Sequence, residues 1–175
     1  MNEKLIALKD RLIQRVTAYY LCNEPAIEQI VHTQSVAAYT RLIAWSEGQD
    51  EDQCTLLEAA AWLHDIGCPN ARRIYGNSLP AHQESEGAKL TADWLKDETS
   101  LTDEQKEWLT QVVGSHHQFS SAKKFQFEPL FEADLIVNLT EGYYERSKAR
   151  HLYETMMTTQ TGRKLYEALF LKTDR

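Results

Sequence analysis

The segment LLEAAAWLHDIG, residues 56–67, is the most informative part of the chain. Its apolar residues at positions 56, 57, 60 and 63 follow the three- and four-residue steps of an amphipathic helix. His64 and Asp65 come directly after this apolar run. Because a buried carboxylate is unfavourable unless something pairs with it, the segment predicts a helix whose end carries polar groups into the protein interior.

The same helical spacing recurs along the chain and predicts an all-α fold. One predicted helix has its apolar residues at Leu5, Leu8, Leu12, Val16 and Tyr20. A second has them at Ile27, Val31, Ala38, Leu42 and Trp45. Further helices are marked around residues 88–95, 109–113, 130–137 and 165–170, and Thr102 with Gln105 has the form of a capping box.

Glycine and proline are scarce, with 7 and 4 residues in a chain of 175. This scarcity favours a helical protein. Gly67, Pro69, Gly76 and Pro80 nevertheless fall close together. The cluster predicts one long irregular loop over about residues 67–80. The length of the chain fits one compact helical bundle.

Composition and charge exclude several classes of protein. Hydrophobic residues make up 42% and charged residues 26%, which is typical of a globular domain and not of a disordered one. The sequence has no apolar run long enough for a bilayer and no signal peptide, so we expect a cytoplasmic protein without a membrane partner. The net charge of -7 argues against duplex nucleic acid as a partner. Cys22, Cys54 and Cys68 form no Cys-x-x-Cys, which argues against a disulfide framework. The sequence does not indicate an oligomeric state.

Histidines and aspartates lie at informative places in the predicted helices. His32 is inside the second helix, His64 and Asp65 end the third, and Asp134 interrupts an apolar run. Imidazole and carboxylate groups are good ligands for Mn, Fe, Co, Ni and Zn. Helical bundles build such sites from side chains on facing helices. The sequence therefore predicts a divalent metal site.

These residues resemble the HD-domain superfamily of metal-dependent phosphohydrolases, whose pattern is H…HD…D. The resemblance is carried by residues 31–37 (VHTQSVA), 61–67 (AWLHDIG) and 132–136 (EADLI). It implies a single HD domain over residues 1–175, with a metal-site core at about 26–140 and C-terminal helices at 143–175 that pack against it.

The sequence is also similar to the members of this superfamily that have dinuclear centres. The resemblance implies that a first ion is held by His32, His64, Asp65 and Asp134. It implies that His82 and His116 hold a second ion and that Asp65 is shared. His117 is the alternative to His116, because adjacent residues on a helix point about 100° apart. The implied cofactor is one or two divalent ions of Fe, Mn, Ni, Co or Zn.

The resemblance implies that the protein hydrolyses a nucleotide or another small phosphate ester by means of a metal-activated water. Asp65 and His64 would be the catalytic residues. The ions would make the site locally positive inside an acidic protein. Candidate substrate-binding residues are His117, Arg72, Arg73, Lys123 and Asn138. The arginines suit phosphate through their forked donors, and Asn138 lies one turn after Asp134.

Two alternatives stay open. Some HD-type proteins with the same ligands resemble di-iron oxygenases, and a non-catalytic ligand-binding module could have the same fold.

The sequence departs from the family pattern at two places. Cyclic dinucleotides are excluded as substrates, because residues 118–120 (QFS) follow the paired histidines where the enzymes that cleave them have Gly-Tyr-Pro. Cys68 stands where many relatives have lysine.

Overall fold

Helices make up all of the regular secondary structure of residues 2–172, the part of the chain that the computed structural model describes. The α-helices are α1 (Glu3–Leu21), α2 (Ala26–Ser46), α3 (Glu51–Leu63), α4 (Gly67–Tyr75), α5 (Pro80–Leu95), α6 (Asp103–Val113), α7 (Phe119–Phe125), α8 (Glu128–Thr140), α9 (Ala149–Met156) and α10 (Gln160–Tyr166). A 3₁₀ turn spans Arg146–Lys148 and a π turn spans Glu167–Leu171. Residues 2–172 contain no strand, which confirms the all-α prediction. None of the helices in this range combines the length and the apolar character that crossing a bilayer requires.

Two helices bury the residues that their spacing predicted. The buried residues of α1 are Leu5, Leu8, Leu12, Val16 and Tyr20. The N-terminus of α6 has the predicted capping box, in which Thr102 and Gln105 satisfy each other's backbone amides. Both helices have one apolar face only, so the hydrophobic pattern determines which side packs inward.

The predicted register of α2 is wrong. Ile27, Val31, Leu42 and Trp45, which were expected to face the core, are 75%, 52%, 46% and 57% exposed. The buried residues are Gln29, His32, Thr33, Val36, Ala37, Thr40, Ile43 and Ala44, on the side that packs against α3 and α8. Since α2 carries apolar residues on both sides, spacing alone could not identify the inner one.

The predicted irregular loop over residues 67–80 is also wrong for most of its length, because residues 67–75 form α4. Gly67 serves a close helix contact: a Cβ at this position would lie 2.0 Å from the carbonyl oxygen of Gln83 on α5. Gly76 ends α4 with a φ of 72°, a left-handed conformation that glycine adopts readily. Pro80 begins α5, where a missing amide proton is tolerated. The glycines and prolines therefore mark helix ends.

The C-terminal helices are attached to α8 by Glu132. This side chain is fully buried and accepts hydrogen bonds from the backbone amides of Thr158 and Thr159 at 2.5 and 2.8 Å. The hydroxyl groups of both threonines donate to it as well. Tyr166 of α10 belongs to the same core. The limits of the predicted domain, residue 1 and residues 173–175, lie outside the described residues.

Candidate metal centre

Three parts of the fold bring four side chains to one point. His32 comes from α2, His64 and Asp65 from the turn after α3, and Asp134 from α8. The Nε2 atom of His32 lies 3.3 Å from Nε2 of His64, 3.5 Å from Oδ2 of Asp65 and 3.2 Å from Oδ1 of Asp134. The Nε2 atom of His64 lies 3.6 Å from each of the same two carboxylate oxygens. The structure thus brings together the whole set predicted for a first ion.

Oxygen acceptors determine which nitrogen of each imidazole carries the proton. The Nδ1 atom of His64 lies 2.6 Å from the carbonyl oxygen of Ala61, and Nδ1 of His32 lies 2.8 Å from Oε2 of Glu141. Nδ1 donates in both contacts, so each ring presents the lone pair of Nε2 to the centre once it has given up its second proton. Two nitrogens and two carboxylates then face one another as acceptors, an arrangement that a cation stabilises.

The pKa values of His32, Asp65 and Asp134 are shifted because these groups are buried next to one another. Burial alone would lower the pKa of His32, but the hydrogen bond to Asp134 and the charge of Asp65 raise it to about 10. Burial would raise the pKa of Asp65, but the neighbouring His64 and His116 hold it well below its usual range. The pKa of Asp134 is also held low, against burial, by its hydrogen bonds to His32 and His64. The carboxylates are ionised, and the centre attracts positive charge.

The donor set fits a divalent transition metal. Imidazole nitrogen and carboxylate oxygen are ligands that Mn, Fe, Co, Ni and Zn accept. Ligands about 2.1 Å from one ion in a tetrahedral arrangement lie roughly 3.4 Å from one another. The two imidazole nitrogens lie 3.2 to 3.6 Å from each other and from the two carboxylates. His32, His64, Asp65 and Asp134 are the residues that would hold the ion.

His116 approaches the other oxygen of Asp65. Its Nε2 atom lies 3.5 Å from Oδ1 of Asp65, while its Nδ1 donates to the carbonyl oxygen of Val113 at 2.9 Å. The Nε2 atom is buried and has no hydrogen-bond partner. Asp65 therefore faces His32 and His64 through one oxygen and His116 through the other.

The structure does not bring His82 to this centre. Its Nδ1 atom lies 2.8 Å from Oδ1 of Asn77, and its ring stacks on Tyr75 with the ring centres 4.1 Å apart. Because α5 begins at Pro80, the next two residues, Gln83 and Glu84, are the ones buried at this end of the helix. The role that the resemblance implies for His82 stays a prediction, without support from this geometry.

A cleft of about 450 Å³ opens over the centre, and His32, Asp65 and Asp134 line it. Its volume is in the range of small-molecule sites. Of the predicted substrate-binding residues, it is also lined by His117, Arg72 and Asn138. Leu79 and Tyr143, 59% and 73% exposed, add apolar surface to it.

Arg72 brings positive charge to the cleft and is linked to the centre through Gln29. Its guanidinium donates to Oε1 of Gln29 at 2.8 Å, and the amide of Gln29 donates to Oδ2 of Asp65 at 3.2 Å. The Nε atom of Arg72 is buried without a partner. Sequence reasoning missed Gln29; the available signal was a polar residue three positions before His32, on the same helix face.

The other predicted cations lie elsewhere. Arg73 is exposed and donates to the side chain of Asn70 at 3.0 Å. On α7, the ammonium group of Lys123 lies 5.4 Å from the ring centre of Phe119. Neither residue lines the cleft. The structure therefore separates them from the centre to which Arg72 belongs.

A known protein family matches most of the chain. The family model described as HD domain matches residues 30–162, a range that contains His32, His64, Asp65, His116 and Asp134. No curated protein matched the chain, and no solved structure matched it.

Proposed function

The chain belongs to the HD-domain family, and from this premise we propose that it is a metal-dependent phosphohydrolase acting on a nucleotide or another small phosphate ester. The observation that carries the proposal is the convergence of two imidazoles and two carboxylates beneath an open cleft. A divalent ion bound there supplies an activated water near neutral pH and neutralises charge on a phosphoryl group.

The residues of the chain hold this centre rigidly. Ala61 and Glu141 orient the two imidazoles through Nδ1, and Gln29 donates to Asp65. Partners of this kind fix the direction of a ligand and raise its affinity for metal. His64 is fully buried and the other three ligands nearly so, which keeps bulk water from competing for their lone pairs.

Arg72 is the residue best placed to bind the phosphate. The Gln29 contact uses one of its terminal nitrogens, and the residue lines the cleft above the centre. A guanidinium binds phosphate oxygens through its forked donors. Leu79 and Tyr143 offer an apolar surface in the same cleft, which suits a planar group such as a nucleobase.

The chemistry requires no covalent nucleophile from the chain. Cys68 lines the cleft, and its thiol donates to the side chain of Gln83. Burial and the charge of Asp65 raise the pKa of this thiol well above its ordinary value. A protonated thiol is a poor nucleophile, so Cys68 contributes packing and a hydrogen bond.

A substrate screen tests the proposal. Protein loaded with Mn²⁺ is incubated with a panel of nucleotides, phosphomonoesters and phosphodiesters, and release of phosphate or nucleoside monophosphate is measured. We expect activity on at least one member, and we expect Asp65→Asn to abolish it. His151→Ala, which changes an exposed histidine on α9, is the control and keeps the wild-type rate.

The reaction is run without oxygen to separate hydrolysis from the oxygenase alternative. Turnover under anaerobic conditions with Mn²⁺ supports a hydrolase. Oxygen consumption coupled to substrate loss in the iron-loaded protein, or a wild-type rate in Asp65→Asn, would contradict the proposal.

A further inference from the structure

A second group of metal-ligand residues lies beside the centre. It consists of Glu84 on α5 and of His116 and His117 in the turn after α6, with one ligand atom of each residue within 4.8 Å of the others. We propose that Glu84, His116 and His117 hold a second divalent ion next to Asp65. The inference rests on the proposed function, to which it adds a second ion, and it gives Glu84 and His117 the place that the resemblance implies for His82.

Two ring nitrogens in this group are buried without hydrogen-bond partners: Nε2 of His116 and Nδ1 of His117. The proton of His116 is on Nδ1, which donates to Val113, so Nε2 has a free lone pair. The Nε2 atom of His117 lies 3.3 Å from the side-chain amide of Gln83. A half-turn of that amide lets its oxygen accept a proton from Nε2 while its NH2 group donates to the sulfur of Cys68, and Nδ1 of His117 then has a free lone pair as well. Buried polar atoms without partners are rare, and a cation would satisfy both.

Glu84 is a buried carboxylate directed at these imidazoles. Its Oε1 lies 3.4 Å from Nδ1 of His117 and accepts the backbone amide of the same residue at 3.1 Å, while Oε2 accepts the side-chain amide of Gln118 at 3.2 Å. Each oxygen keeps a lone pair for a further contact. Within residues 2–172, Glu84 forms no ion pair with a lysine or arginine, although burying a carboxylate favours a positive partner.

The local backbone allows His116 and His117 to contact the same ion. Since α6 ends at Val113, residues 114–117 form a turn, and the rings of His116 and His117 lie side by side with their centres 4.0 Å apart. On a helix, adjacent side chains would diverge by about 100°. His116 also faces Oδ1 of Asp65, so this carboxylate lies between the two ligand groups. Two imidazoles and a carboxylate suit the same divalent metals as the first set.

Equilibrium dialysis of the full chain against Mn²⁺, followed by metal analysis, counts the bound ions. We expect two ions per chain in the wild type and one in each of Glu84→Gln and His117→Gln. Glu86→Gln is the matched control: this residue is buried on the same helix but contacts Tyr75 and Lys89, so the variant keeps two ions. Circular dichroism verifies that each variant is folded. Electron paramagnetic resonance should show coupled Mn²⁺ ions in the wild type and an isolated ion in Glu84→Gln.

The outcomes separate this inference from the proposed function. If Glu84→Gln and His117→Gln bind as many ions as the wild type, the second site is wrong. A wild type with one ion, which His64→Ala removes and Glu84→Gln retains, also overturns the second site but leaves the proposed function standing. A wild type without any ion overturns both.

Discussion

The Nδ1 atom of His32 and the Oε2 atom of Glu141 lie 2.8 Å apart, although 109 positions separate the two residues in the sequence. Glu141 directly follows α8, two helical turns after Asp134 and on the same face. Its contact turns the imidazole so that Nε2 approaches Asp134 at 3.2 Å. Glu141 is therefore a positioning residue for the metal centre.

Removing this contact should weaken metal binding without destroying the site. We expect Glu141→Ala to lower the affinity for Mn²⁺ by about 10- to 100-fold, the usual effect of losing a partner that orients a ligand. Glu141→Gln should restore most of the affinity, because its amide oxygen still accepts the proton of Nδ1. The measurement is equilibrium dialysis, with Glu145→Gln at an exposed neighbouring position as the control. An unchanged affinity in Glu141→Ala would show that the contact has no positioning role.

Substitutions of the neighbouring residues Arg72 and Arg73 can be compared to test which of them binds substrate. Loss of a hydrogen bond to a charged group is worth about 1.5–3 kcal/mol, so Arg72→Ala should raise KM by roughly 10-fold or more, with a smaller change in kcat. Arg73→Ala should leave both constants unchanged, because Arg73 is exposed and does not line the cleft. Steady-state kinetics on the substrate found in the screen make the comparison. Equal effects of the two substitutions would rule out a specific role for Arg72.

Close contact between α4 and α5 makes Gly67 sensitive to substitution. A Cβ at this position would lie 2.0 Å from the carbonyl oxygen of Gln83 and 2.4 Å from the amide nitrogen of Gly87. We expect Gly67→Ala to lower the free energy of unfolding by about 3 kcal/mol, the upper range for overpacking. Gly48→Ala introduces a Cβ into open space at a φ of 83°, so it should lower the free energy of unfolding by only about 1 kcal/mol. Urea unfolding measures both, and the interpretation fails if Gly67→Ala is as stable as Gly48→Ala.

Glu132 should be required for stability and not for chemistry. The four hydrogen bonds that it accepts hold residues 158 and 159 against α8. Glu132→Ala removes a buried acceptor and leaves two backbone amides without partners, for an expected loss of about 2–4 kcal/mol in the free energy of unfolding. Thermal unfolding and Mn²⁺ dialysis are measured together. A variant with wild-type stability, or one that is stable but binds no metal, would contradict this assignment.

Hydrophobic spacing predicted the buried side of α1 and failed for α2, for a physical reason. The apolar residues of α1 occupy a single face, so only one orientation removes them from water. On α2 the residues that pack inward include His32, Thr33 and Thr40, whereas Trp45 is exposed. The contacts of α2 with α3 and α8 determine its orientation, and no window of the sequence within α2 contains that information.

The first set of ligands could be predicted because the segments around His32, His64-Asp65 and Asp134 resemble the motifs of the HD domain; Asp134 also interrupts an apolar run. His82 and Glu84 show where prediction from the sequence fails. A shift of two positions turns a side chain by about 200° on a helix, so the start of α5 determines which residue faces inward. In the sequence Glu84 does not differ from the other acidic residues. It is buried because α5 packs against α6, which the sequence pattern does not indicate.

Metal content tests the central claim most directly, namely that His32, His64, Asp65 and Asp134 together hold a divalent ion. The full chain is incubated with Mn, Fe, Co, Ni or Zn, freed of unbound metal by gel filtration and analysed for elements. The wild type should retain at least one ion per chain, and Asp134→Ala and His64→Ala should each retain one ion fewer while staying helical. A wild type that retains none of the five metals, or an Asp134→Ala variant that retains as much metal as the wild type, would contradict the account.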